Sequence, residues 1–246
     1  MLDALFTLLI GLAALWVPLF ALVKLQPIAV ASLPKPIMYL FAIVGVPIHE
    51  VSHAFVALIC GHKVQKVTLF QPDKSGTLGF VEHAYKPGFL SWFTNLFIGL
   101  APLFGGIAAI IGFTYLLFPE LSLFSQPSQW DSGNIIGSAY DLINASIESA
   151  TAYSWEARHW IWLYLSVSTA MFFVPSRPDF EGALPGILLT FGTFLAFTVL
   201  ASEKMSVFFE AVSSLVLKLY PVLLLSILVY CLLLVLGFLI NVCRLR

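Results

Sequence analysis

Six apolar runs alternate with polar connectors along the chain, at roughly 4–23, 37–60, 89–118, 159–176, 183–201 and 219–242. A helix needs about 20 mostly apolar residues to cross the hydrocarbon layer of a bilayer, so each run predicts a spanning helix. Lys24 ends the first, Pro119 the third, and Arg244 and Arg246 follow the sixth. The fourth is broken by "VPSRPDFEG". The first run is longer than a signal-peptide core and no small-residue cleavage site follows it, so it reads as a retained helix.

One connector departs from the helical period. Residues 63–85 alternate polar and apolar around "PDKSG", which predicts a β-hairpin and its turn. Residues 119–157 are polar, Ser-rich and acidic, and their second half, from about Ile135 to Arg158, predicts an amphipathic surface helix. The stretch 205–218 reads as interfacial. The expected fold is an all-α polytopic membrane protein. It has about six transmembrane helices in one membrane domain over 1–246, with a core at about 37–201. The small hairpin at 63–85 sits between the second and third helices, with a polar loop at 119–157 and a C-terminal helix at 219–242.

Composition strengthens the membrane reading. The chain is 60% hydrophobic and 10% charged, with a mean hydropathy of +0.96, whereas a soluble domain carries about 25% charged residues. A net charge of −1 without a basic stripe argues against a nucleic-acid partner. Cys60, Cys231 and Cys243 have no CxxC spacing, which argues against a disulfide framework and a cysteine zinc site. With the N-terminus inside, the inner segments hold Lys63, Lys66, Lys74, Lys86, Arg177, Arg244 and Arg246. The outer ones hold Lys24, Lys35, Arg158, Lys204 and Lys218. This excess favours an inside N-terminus. It also brings the second run's polar motif and the Arg177–Gly182 break to the same, cytosolic, face.

That motif is "HEVSH" at 49–53. Ionisable groups inside a span are expensive and default to function. Residues four apart share a helix face, so His49 and His53 can ligate one zinc ion, with Glu50 beside it as general base for a bound water. A catalytic zinc of this kind takes a third protein ligand and leaves a position open for water. Asp179 in "VPSRPDFEGALPG" is the best candidate, because the prolines before it and Gly182 after it disrupt the helix; Glu181 competes. His62 and His83 flank the hairpin and read as surface histidines, and His159 reads as interfacial. Asn95, in the Gly-rich third run, is a candidate substrate-binding donor to a carbonyl or its oxyanion. The hairpin, leaning over the site, has an edge that can receive an extended peptide.

At these residues the chain resembles the site-2 protease family of intramembrane zinc metalloproteases. The shared elements cover about 49–186: the histidine-glutamate motif in a transmembrane helix, a hairpin, a Gly/Pro-containing third span and a Pro- and Asp-containing break. The resemblance implies one zinc per chain on His49, His53 and Asp179, with Glu50 activating the water. It implies a transmembrane protein substrate within the lipid bilayer. "PSRPDFEG" departs from the family's asparagine-proline and leucine-aspartate-glycine pattern and looks closer to a divergent branch. The alternative is a non-catalytic membrane binder or chaperone that retains the zinc-site scaffold. A transporter is disfavoured because the first and sixth runs carry no charged residues in their interiors.

Overall fold

The structure, a computed structural model, describes residues 20–74, 76–119, 156–200, 226–240 and 242. Helix α1 spans Phe20–Ser32 and α2 Lys35–Ile59. The strands β1 (Lys63–Thr68) and β2 (Phe80–Ala84) follow. Then come α3 (Phe89–Leu117), α4 (Ala157–Phe172), α5 (Arg177–Leu200) and α6 (Ser226–Ile240). The chain is thus mostly helical with one small antiparallel sheet. Helices α2 and α3 are long and apolar enough to cross a membrane, whereas α1 and α6 are apolar but shorter over their described lengths. The polar connector 120–155 and the stretch 205–218 lie outside the described residues.

Several boundaries move relative to the sequence reading. The first run does not end at Lys24: α1 continues past it to Ser32, with Lys24 exposed and its ammonium over the Phe20 ring. A charge on the outer face of a helix does not stop it. The fourth helix ends at Phe172, earlier than 176, because Pro175 disfavours helical geometry in the residue before it. The disruption is only the short link 173–176, and Asp179 lies in the first turn of α5 instead of in a broken segment.

The apolar core joins α1, α2, α3, the end of α4 and α6 through Leu22, Val46, Ile107, Met171, Phe173 and Tyr230. The buried Tyr230 hydroxyl donates to the Ala170 carbonyl at 2.6 Å, tying α6 to α4. On the outer faces of α2 and α3, large apolar side chains such as Phe55, Leu58, Phe97 and Phe104 stay exposed, the pattern of helices whose solvent is lipid.

The hairpin pairs Lys63 with Ala84 and Thr68 with Phe80, with an irregularity between Val64 and Lys66. It starts directly from the end of α2. There Gly61, at φ +74°, donates to the Leu58 carbonyl at 3.0 Å, and His62 donates its N–H to the Ala57 carbonyl at 2.8 Å. This is a Schellman ending, in which glycine takes the left-handed position. It folds the strands back along α2. At the other end of the hairpin, a side-chain carbon added to Gly79 would sit 2.9 Å from Glu50 Cγ and 2.8 Å from the Thr68 carbonyl oxygen. The strands therefore close over Glu50.

Candidate metal centre

Two helices bring His49, His53 and Asp179 together. The two histidines are one turn apart on α2, and Asp179 enters from the first turn of α5. His49 Nε2 lies 3.5 Å from Asp179 Oδ2, His53 Nε2 lies 3.3 Å from Asp179 Oδ1, and the two Nε2 atoms are 3.1 Å apart. His53 is only 6% exposed.

The other ring nitrogens reveal why the rings point this way. His49 Nδ1 is 2.6 Å from the Phe172 carbonyl, and His53 Nδ1 is 2.8 Å from the Ile98 carbonyl. A carbonyl accepts only, so each Nδ1 carries a hydrogen, and in the neutral ring each Nε2 keeps its lone pair. Both carbonyls are ones that their own helices leave unused. Phe172 is the last residue of α4, where terminal carbonyls have no helical donor. Ile98 is four residues before Pro102, which lacks the N–H that would have reached it. Proline inside a spanning helix is thus put to use, and its freed carbonyl fixes a histidine tautomer.

Asp179 is oriented by its own helix start. The Ser176 Oγ donates to Asp179 Oδ2 at 2.5 Å, the Ser176 N–H donates to the same oxygen at 2.7 Å, and the Phe180 N–H reaches the Ser176 carbonyl at 3.0 Å. Ser176 is the N-cap and Asp179 the third helical residue, a capping box. Ser176→Ala should weaken zinc retention about tenfold or more, the usual consequence of removing a partner that orients a ligand. It should also destabilise the helix start by ~1 kcal/mol. Zinc competition with a coloured chelator measures the first effect, and unchanged retention would show that the serine only caps.

With both rings neutral, two imidazole lone pairs and a carboxylate converge with no hydrogen between them. Such a donor set is self-repelling until a cation sits among them, and two nitrogens plus one oxygen suit zinc. The residues present therefore fit the metal that the motif implies. Glu181 does not join them: it is exposed and paired with Arg177 at 2.8 Å. Glu50, next to His49, is 7% exposed beneath the hairpin and stands outside the three-residue group. Asn95 is half-buried on α3, one turn before Gly99, and its amide has no partner among the described residues.

Sequence reasoning missed Ser176 as an orienting group, although S-x-x-D was its signal. It also took His62 for a surface residue; His62 is buried, with its ring against Thr94 and His83.

Residues 22–117 match the protein family described as Peptidase M50B-like, consistent with a member of the site-2 protease family. The matched region contains His49, Glu50, His53, the hairpin and α3, and stops before Asp179. No curated protein and no solved structure matches the chain.

Proposed function

We propose, from the likeness of residues 22–117 to the Peptidase M50B-like family, that this chain is an intramembrane zinc metalloprotease. It hydrolyses peptide bonds in or near transmembrane segments of other membrane proteins. The observation that carries the reading is the convergence of His49 Nε2, His53 Nε2 and the Asp179 carboxylate beside a buried Glu50.

His49, His53 and Asp179 hold one zinc ion, which when bound supplies a Lewis acid that acidifies a water and polarises the scissile carbonyl. The chain's own groups do the rest. Glu50 accepts the proton that the water loses as its oxygen bonds to the carbonyl carbon. It then delivers that proton to the amide nitrogen as the C–N bond breaks, leaving a carboxyl group and an amine. The buried position of Glu50 keeps bulk water from competing for the proton. Asn95 offers an amide N–H to the substrate carbonyl oxygen. The hairpin closing over Glu50 at Gly79 places a strand edge beside the reacting groups, where an unwound substrate segment can pair. The remaining helices complete a multi-pass bundle of about six spans, with the site toward the cytosolic side.

The test is cleavage of a membrane-protein reporter by the purified full chain in detergent or vesicles. Cleavage should stop on chelation and return with added zinc. A chain that holds zinc and binds the reporter but never cuts it is a scaffold, and the protease reading falls.

A further inference from the structure

At the base of the hairpin a second pair of imidazoles meets, separate from the centre described above. His62 Nδ1 and His83 Nδ1 are 3.0 Å apart. His62 is 7% exposed, held at the Schellman ending of α2, and His83 comes from β2. On its other side His62 Nε2 lies 2.9 Å from Thr94 Oγ1 of α3, and that hydroxyl donates to the Ser91 carbonyl at 3.2 Å. The hydroxyl hydrogen is thereby used, so Thr94 accepts from His62 Nε2–H, and His62 Nδ1 presents a lone pair toward His83.

His83 is not fixed in the same way. Its Nε2 has no partner among the described residues. With a proton on Nδ1 it donates to His62; with the proton on Nε2, two lone pairs face one another. Two imidazole nitrogens at zinc-bond length and tetrahedral angle are ~3.3 Å apart, a few tenths of an ångström from the observed separation. The tautomer of His62 is thus preset by Thr94, as those of His49 and His53 are preset by carbonyls.

We propose that His62 and His83 form a second binding site for a divalent transition-metal cation, weaker than the three-residue centre. An open groove of about 470 Å3, whose lining includes Cys60, His62, Lys63, Tyr85, Lys86 and Thr94, lies on the His62 side of the pair. It has room for the remaining ligands, water or an anion drawn by the two lysines. Burial lowers the pKa of both His62 and His83. Both rings therefore stay neutral, and able to ligate, at neutral pH. An ion here joins the end of α2 to β2, the strand that begins one residue after Gly79. The inference does not depend on the chain being a protease.

The experiment is a Zn2+ titration of the full chain in detergent, with bound metal counted by mass spectrometry. Wild type should hold about one tight and one weaker zinc. His83→Ala and His62→Gln should each lose only the weaker one, whereas His49→Ala should lose only the tight one. In the His49→Ala chain, bound Cu2+ should show nitrogen hyperfine splitting from two imidazoles by electron paramagnetic resonance, and a further His83→Ala change should reduce it. A wild-type chain that saturates at a single zinc, removed by His49→Ala, overturns the proposal, as does a His83→Ala chain whose weaker zinc is unchanged. A wild-type chain that holds only a zinc removed by His83→Ala and kept by His49→Ala would instead strike at the three-residue centre, so the two readings fail separately.

Discussion

Glu50→Gln should retain its tight zinc while losing at least ~100-fold of its hydrolytic rate, the lower range of what a positioned general base contributes. The two halves of this expectation have separate origins. Zinc is kept because the converging donors are His49, His53 and Asp179, and Glu50 is not among them. Rate is lost because an amide of nearly the same shape cannot accept a proton from water. The substitution also tolerates the local packing. Glu50 is covered by the hairpin, with Gly79 against its Cγ, and glutamine keeps that methylene. A shorter Glu50→Asp side chain retains the carboxylate but withdraws it toward α2, so its rate should fall between the two. The assay is reporter cleavage by wild type and variants at equal zinc content. Glutamine at position 50 with undiminished cleavage would remove Glu50 from the mechanism.

How much of this was legible beforehand depends on the range of each interaction. His49, Glu50 and His53 could be read directly, because a helix period of 3.6 alone puts the two histidines on one face. The hairpin was equally local: alternation, turn residues and a Gly after the helix end all lie within 61–85. The choice between Asp179 and Glu181 was not settled by sequence, because the segment read as a break. As the first turn of α5, it sends the two carboxylates ~200° apart around the helix. Asp179 then faces α2, and Glu181 is left to Arg177 on the exposed side. The S-x-x-D pattern was visible, but Pro175 before it and Pro178 within it point to disruption instead of capping. His62 was misjudged for a different reason. Its partner Thr94 lies 32 residues away, and no periodicity within the hairpin reports that contact. Pro102 is an intermediate case: a freed carbonyl four residues earlier follows from sequence, but the histidine that takes it follows only from the packing of α3 on α2.

The proposed zinc centre should be emptied by two unlike routes. His53→Ala and Asp179→Ala each remove a donor atom, and a centre with two remaining protein ligands should not hold zinc through purification. Gly99→Val removes no donor at all. Gly99 lies where α3 meets α5: a side-chain carbon there would come 2.5 Å from the Asp179 carbonyl oxygen and 2.9 Å from Ala183 Cβ. Both neighbours belong to the first turns of α5, so α5 must move away from α3, and the Asp179 carboxylate moves with it. Small residues at such crossings are what permit spanning helices to approach closely, and overpacking a close crossing typically costs about 1–3 kcal/mol. Ion loss follows from displacement as well as from instability, because Asp179 sits only 3.3–3.5 Å from both histidines, within a narrow ligation geometry. Zinc counted per chain beside helix content by circular dichroism separates the two causes. The expected result is native helix content with zinc well below wild type in all three variants. A Gly99→Val chain that folds and keeps full zinc would show that α5 can shift without moving its carboxylate. That would undo the argument that this crossing positions Asp179.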